Sequence, residues 1–454
     1  MANGPRLVIL AGGKSSRLWP FEDKSLIEFL GEPLFLRQLR AYLELGLTDV
    51  SIITNPNNEE RLKSLAERCQ GINAEVLVQR EPKGMGDALL QLRNRVRLEA
   101  SRPIYISQVH DLFDADFHRA ILEGSEHGLA DSLLAAQEVT SYFPGGYLML
   151  DADGRVTGIV EKPGAGNEPS NLVTLVAHLH RNPGELLAAI AEEYGKVAGP
   201  DDHYERAMAQ LMQRRVFRAI PYRGQSRSIK FPWHVLDAMD FMLARIQEPR
   251  IDPAAAIASS ARIKGPVVIE SGARVFDGAA VVGPAYVGAN TIIGNNALVR
   301  ESMIGQRCVV GYSTEVARSY VANDVWFHTN YVGDSVIDSN VSFGSGAITA
   351  NLRLDERSVR STIRGQRMDT GRIKLGAMVG SGTRVGVNTL LMPGVKVGIG
   401  SLVGPGVVMK EDVPDHTQVL VKQELEIRPS AAQAQVGDRD RFRAGLGSST
   451  VGGS

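Results

Sequence analysis

A chain of 454 residues with 43% hydrophobic and 22% charged residues is too long for one ordinary core, and predicts a globular protein of two or three domains. Fifty Lys and Arg against 51 Asp and Glu leave a net charge of −1, which argues against bulk electrostatic binding to nucleic acid or an anionic membrane. Cys69 and Cys308 lie in no CxxC spacing, no stretch has the length of a membrane span, and no signal peptide precedes the first strand, so a cytoplasmic protein without structural zinc is expected.

From Leu7 to about Ala219, β-rich runs ("RLVIL", "VSIIT", "AEVLV", "PIYIS", "SLLAA") alternate with segments of helical spacing ("LFLRQLRAYLEL", "EERLKSLAERC", "GDALLQLRNRVRLEA"). That alternation predicts a mostly parallel α/β sheet with helices on both faces. The first strand runs into "LAGGKSSRLWPFEDKSL", residues 10–26. A glycine-rich turn between strand and helix exposes backbone N–H groups that bind phosphate, although this one matches neither the P-loop nor the dinucleotide pattern. Gly12 and Gly13 would permit close approach of a triphosphate, and Arg17 and Lys24 bring positive charge to the same place. "PWHVLDAMDFMLARIQ" (232–247) then reads as one amphipathic helix with Pro at its start.

Beyond it Ile251, Ile257, Ile263, Ile269, Val275, Val281, Val287, Ile293 and Val299 recur every six residues. At 43% hydrophobic content, such a run in one chosen register would arise by chance roughly once in 2,000 trials. Four residues after each stands a compact side chain, from Ala255 to Ala297, expected to let the chain turn a corner. The register slips near Glu301 and resumes at Val379, Val385, Leu391, Val397 and Val403. A six-residue period suits neither a helix nor a hairpin sheet; it suits a parallel β-helix with one β-branched residue inward per short strand. The pattern resembles the left-handed β-helix of the acyltransferase superfamily, and a purely structural solenoid is the alternative.

Further motifs follow in the first half: "QREPKGMGDAL" from Gln79, "YISQVHDLF" from Tyr105, "GGYLML" from Gly145, "VTGIVEKP" from Val156 and "SNLVTL" from Ser170. In that order they resemble the sugar-1-phosphate nucleotidylyltransferases. With the hexapeptide half, the chain resembles the archaeal type of bifunctional N-acetylglucosamine-1-phosphate uridylyltransferase and glucosamine-1-phosphate N-acetyltransferase, over about residues 5–425. The resemblance implies an α/β, Rossmann-like nucleotidyltransferase domain (1–230), a linker helix (231–249) and a left-handed β-helix acyltransferase domain (250–425). A small, polar, disordered tail (426–454) is expected to follow.

By the same resemblance Leu10, Ala11, Gly12 and Gly13 hold the nucleotide, Arg17 the leaving pyrophosphate, and Lys24 the α-phosphate charge. Gln79, with backbone near Gly84, reads a pyrimidine edge through one donor and one acceptor. Asp111 is a Mg²⁺ ligand, and Gly146, Glu161 and Asn171 contact the sugar. His110 departs from the family's usual Gly, and no second metal carboxylate is evident: Ser228 and Lys230 stand where it is sought, with His234 and Asp237 the nearest replacements. In the second half the resemblance assigns His328 as the base for acetyl transfer, Tyr331 as a substrate contact, Asn351 as a site residue near the base, and Ser345 and Ser381 as lining the acetyl-CoA groove. Arg357 and Arg360 stand where relatives carry Lys, and Arg318 is a phosphate contact. UTP and acetyl-CoA would be substrates, and a homotrimer is implied. Two other readings stay open: a hexose-1-phosphate uridylyl- or thymidylyltransferase whose β-helix serves only assembly, and a non-catalytic nucleotide-sugar-binding protein.

Overall fold

The computed structural model describes residues 4–98, 102–128, 130–140, 142, 145–196, 202–430 and 439–447. Residues 1–420 form one compact unit and 421–454 a second. In the second unit Arg439–Gly447 is helical, within the segment expected to be disordered; 431–438 and 448–454 lie outside the described residues.

The first half is built on a nine-stranded sheet. Its parallel core runs Ile104–Gln108, Arg6–Leu10, Asp49–Thr54, Asn73–Val78. Leu172–His180 joins antiparallel to Ile104–Gln108 and carries the remaining strands. Strand Arg6–Leu10 reads as an unbroken apolar run because both of its faces are covered. Leu7 and Ile9 pack with Leu39 and Tyr42 on one side, and Val8 packs with Leu89 and Ile190 on the other. Leu10 is level with Gln108 and Ile53, so the loops after these strands gather at one carboxyl edge, where open α/β sheets bind ligands.

The second half winds into a left-handed parallel β-helix with faces of eight, nine and eight strands. Strands of the first face run from Arg250–Ile251 to Lys396–Val397, of the second from Ala256–Ile257 to Gln418–Val419, and of the third from Arg262–Lys264 to Val408–Met409. Ile269, Val275, Val281, Val287, Ile293 and Val299 all point into one core, at most 1% exposed. Ile251 is 42% exposed and Ile257 and Ile263 only partly buried, because the first coil has no coil beneath it. The compact residues Ala273, Ala279 and Ala297 fill the corners from inside. The chain itself turns one residue earlier, at Gly272, Gly278, Asn290 and Asn296, all with φ between +56° and +69°, where Gly and Asn are tolerated.

The slip after Glu301 is a change in corner length. Val299 to Ile304, Val316 to Val321 and Val332 to Ile337 span five residues instead of six, each at the corner between the third and first faces. A later coil opens at this corner into an insertion, residues 350–377, that carries an antiparallel hairpin of Arg360–Ile363 and Gln366–Asp369.

Helix His234–Leu243 is no exposed linker. Val235, Leu236, Ala238 and Met239 are at most 1% exposed, in a core shared with Leu18, Phe21 and Phe29 of the first half and with Tyr286, Met303, Tyr320 and Met378 on the first face of the β-helix. Tyr320 Oη donates to Glu28 O (2.7 Å) and Asn323 Nδ2 to Glu28 Oε2 (2.7 Å) across the same junction. The division drawn at 231–249 therefore falls inside one packed unit.

Candidate active sites

The loop after the first strand is tied at both ends. Ala11 N donates to Ile53 O (2.8 Å), and Asn58 Nδ2 donates to Ala11 O (3.0 Å) and to Asp23 Oδ2 (2.7 Å). Asp23 Oδ1 in turn caps Ser25 N (2.7 Å), which opens the short helix containing Lys24. Asn55 Nδ2 reaches Gly12 O (3.4 Å). Sequence reasoning did not single out Asn55, Asn58 and Asp23; the visible signal was "NPNN" directly after a buried strand end.

Gly12 is required by crowding, since a Cβ there would sit 3.0 Å from Gln79 Oε1 and 3.1 Å from Thr54 O. Gln79 is buried, and its Nε2 donates to Gly84 O and Asp87 Oδ2, both at 2.9 Å. Both amide protons are therefore committed, and the opposite amide orientation would set an oxygen against two acceptors. Only Oε1 faces the loop. This corrects the expectation of one donor and one acceptor: what Gln79 offers a ligand is an acceptor.

Across the edge, Asp111 pairs antiparallel with Ser228, and Gln38 Nε2 donates to Asp111 O (2.8 Å). The side chains of Asp111 and His110 are each 13% exposed, with His110 Nε2 3.8 Å from Asp111 Oδ1. Burial pushes the Asp111 carboxyl up, opposed by the adjacent Ser228 hydroxyl, Lys230 and Lys24. Burial, with Lys24, Lys230 and Arg17 close by, holds His110 well below the ordinary imidazole value, so its ring is neutral. Burial also lowers Lys24 to about 8; Asp111 opposes that shift and Arg17 adds to it. Arg17 is exposed, its guanidinium 5.7 Å from the Phe231 ring centroid. One carboxylate thus sits among Arg17, Lys24 and Lys230, an arrangement suited to a polyphosphate.

His234 and Asp237 do not replace the missing metal ligand. His234 Nδ1 accepts from Lys230 N (3.3 Å), and Asp237 pairs with Arg372 (2.7 Å). Opposite Asp111 stands Ser228, whose buried hydroxyl lies against the Asp111 carboxyl and has no other partner; His110 Nδ1 is unpartnered. Among the described residues no group of three His, Cys, Asp or Glu could hold a metal unaided. Asp111 and the adjacent Ser228 hydroxyl nevertheless fit a Mg²⁺ that arrives with a triphosphate, because Mg²⁺ takes one or two protein carboxylates and completes its shell from phosphate and water.

Gly146 pairs with Glu161 in the ladder, and a Cβ on Gly146 would lie 3.2 Å from Glu161 Oε2 and 3.1 Å from Thr174 Cγ2. Glu161 is exposed and ion-paired with Lys162 (2.8 Å). Asn171, just before the strand that pairs with that of Gly146, donates to Glu138 Oε1 (2.9 Å).

The second group lies along the third face of the β-helix. Phe327 to Val332 spans five residues, whereas the same corner takes six in the coils before and after (Val310 to Val316, Phe343 to Thr349). The shortened corner is His328-Thr329-Asn330. Buried Asn330 staples it, accepting from His328 N (2.8 Å) and donating to Gly344 O (2.8 Å) and Ala347 O (2.9 Å). Thr314 Oγ1 donates to His328 O (3.0 Å). The His328 ring is exposed, and its corner is fixed by bonds that leave the imidazole free.

At the other end of strand Tyr331–Gly333, Asn351 Nδ2 donates to Tyr331 Oη (3.1 Å) and Asp334 Oδ2 (2.5 Å). Arg318 forks onto Asp334 (2.8 and 2.7 Å), so its guanidinium is committed to a carboxylate rather than held for a phosphate. Ser345 is in the His328 corner one coil further on, next to Gly346, whose N–H reaches Thr329 O (2.8 Å). Ser381 is not. It sits at the corner between the first and second faces, where a Cβ on neighbouring Gly380 would meet Pro20 at 3.1 Å. Arg357 and Arg360 are exposed on the insertion.

A cationic, backbone-lined cradle at the carboxyl edge of an α/β sheet, packed onto a hexapeptide β-helix, defines a nucleotidyl transferase domain joined to a left-handed β-helix. Residues 6–193 match the Nucleotidyl transferase family. The chain is 29% identical over 412 residues to the "Bifunctional sugar-1-phosphate nucleotidylyltransferase/acetyltransferase" of Sulfurisphaera tokodaii, covering 89% of this chain and 97% of that protein. It is 28% identical to the "Bifunctional protein GlmU" of Methanococcus vannielii (93% and 99% covered) and 27% identical to that of Methanocaldococcus jannaschii (93% and 98% covered).

Proposed function

We propose that this chain catalyses two steps of sugar-nucleotide synthesis: acetyl-CoA-dependent N-acetylation of glucosamine-1-phosphate, and transfer of UMP from UTP to the resulting N-acetylglucosamine-1-phosphate with release of pyrophosphate. The observation that carries the first-half reading is the convergence of Gly12, Gln79, Lys24 and Asp111 on one sheet edge. A sugar-phosphate oxygen attacks the α-phosphorus and the bond to the bridging oxygen breaks. Such transfers rest on positioning and charge neutralisation. Lys24 and Lys230 lie beside Asp111 to neutralise charge near the α-phosphate, and Arg17 at the loop tip suits the departing pyrophosphate. The Gln79 acceptor suits the ring N–H of uracil or thymine. Asp111 and Ser228 would hold Mg²⁺, which supplies phosphate charge neutralisation when bound. Gly146, Glu161 and Asn171 are the proposed sugar contacts.

In the second half, only a neutral amine attacks a thioester, so a base must take the ammonium proton. The free His328 imidazole, in a rigid corner, suits that role. Trp326 (55% exposed) on the second face and Tyr312 (61% exposed) at the corner one coil before His328 leave apolar surface, which supports a homotrimer with acetyl-CoA between chains. A cytoplasmic location accords with such substrates.

The test is incubation with UTP, Mg²⁺ and a panel of hexose-1-phosphates, with and without acetyl-CoA, analysed by mass spectrometry. Pyrophosphate release with no thiol release would leave the β-helix as scaffold alone. Binding without either product would reduce the chain to a sensor. His328→Ala is expected to lose acetyl transfer and keep nucleotidyl transfer.

A further inference from the structure

The insertion at residues 350–377 runs from the third face of the β-helix to the nucleotide loop. Its hairpin ends in a two-residue turn, Arg364–Gly365, with φ of +48° and +78°. Its place is over-determined. Ser361 is buried and donates to Gly394 O (2.9 Å), and Val359 and Ile363 are buried with Leu18, Trp233 and Leu236. Lys396, 1% exposed, donates to Thr362 O, pairs with Asp412, and lies 5.2 Å from the Trp19 ring centroid. The nucleotide loop is pinned to the same framework, since Trp19 Nε1 donates to Asp415 Oδ1 (2.8 Å).

Between these two fixed bodies, Arg364 Nη2 donates to Ser16 Oγ, one residue before Arg17. Arg353, Arg372 and Lys396 are each paired with a carboxylate; Arg364 is exposed, and among the described residues it meets no carboxylate. By accepting from Arg364, the Ser16 oxygen leaves its own O–H pointing elsewhere, available to a second acceptor. An un-neutralised guanidinium on an anchored hairpin, bonded to the hydroxyl of the residue that precedes Arg17, matches phosphate oxygens.

We propose that Arg364, carried on the β-helix, is a phosphate-binding residue of the nucleotidyl site, gripping the β,γ end of the triphosphate and the pyrophosphate it becomes together with Ser16 and Arg17. This rests on the nucleotidyl-transfer reading above and adds that the first half is incomplete without the second.

The test uses the full chain and two probes, UTP and inorganic pyrophosphate, titrated calorimetrically against wild type, Arg364→Ala, Arg364→Lys and Arg367→Ala, with turnover of both activities measured in parallel. Arg364→Ala is expected to weaken both probes about tenfold, the scale of one charge-assisted hydrogen bond. Its acetyl transfer should be unchanged, Arg364→Lys should recover part of the affinity, and Arg367→Ala should match wild type. Affinities within twofold of wild type in Arg364→Ala would overturn the assignment, and so would acetyl transfer or melting temperature falling alongside binding, since the hairpin would then be a strut. Wild type that turns over UTP while Arg364→Ala binds normally removes only this inference; wild type that binds neither probe removes the nucleotidyl reading as well.

Discussion

The Lys24 ammonium is held where its proton is easily lost. Burial beside Arg17 and Lys230, only partly offset by Asp111 and Asp23, brings its pKa to about 8, against an ordinary lysine value near ~10.4. In the free enzyme about nine-tenths of the side chain is charged at pH 7 and about one-tenth at pH 9. Because kcat/KM reports the free enzyme, kcat/KM for the nucleoside triphosphate should break near pH 8 and fall about tenfold per pH unit above it. An adjacent bound triphosphate favours the ammonium, so kcat should hold to higher pH. Lys24→Arg stays protonated throughout; it should show a lower plateau, because the planar fork does not fit an ammonium site, and no break. The assay is initial pyrophosphate release from pH 6.5 to 10 at constant ionic strength. A wild-type profile flat to pH 9.5, or the same break in Lys24→Arg, would refute the reasoning. Folding offers a second readout. Between pH 8 and ~10.4 the unfolded chain binds more protons at this side chain than the native one, so Lys24 makes stability rise with pH across that window.

The same sign holds in a lower pH window through His178 and His180, which share Tyr204 Oη (2.8 and 2.9 Å) and which burial lowers to about 4 and about 3. Their neutral native forms resist protonation, so stability should fall by about 1.4 kcal/mol per pH unit per ring as pH drops from ~6.5 toward 4; equal urea midpoints at pH 7 and pH 5 would disprove this. Gly311→Ala would set a Cβ 2.1 Å from His328 O, displacing the shortened corner. Overpacking should cost about 1–3 kcal/mol and misplacing the base about 100-fold in acetyl transfer, with nucleotidyl transfer retained; thermal melts and the two assays check it. Gln79→Glu removes both donors to Gly84 O and Asp87 and sets two carboxylates together, so KM for the nucleotide should rise about tenfold while KM for the sugar phosphate stays within twofold. An unchanged nucleotide KM would show that the donor bonds to Gly84 O and Asp87 do not position the Gln79 acceptor.

Local chemistry and periodicity made much of this protein readable in one dimension. The run from Ile269 to Val299 had to face inward, because a six-residue repeat of β-branched residues has one surface to bury and only a coil closes it. The glycine-bearing turn after Arg6–Leu10 was legible because it is a property of a strand and the few residues after it, whereas Asp111, read as a strand end, opens a short strand of its own beyond Gln108. Tertiary structure alone decided what depends on residues far apart in the chain. The direction of the Gln79 amide is set by Asp87 and Gly84, the isolation of Ser381 by the face its corner joins, and the pairing of Arg318 by the neighbouring coil. The contact of Arg364 with Ser16 joins residues 348 positions apart. No local pattern encodes such a meeting, because it exists only once two independently patterned halves have buried Trp233 and Tyr320 in the same core.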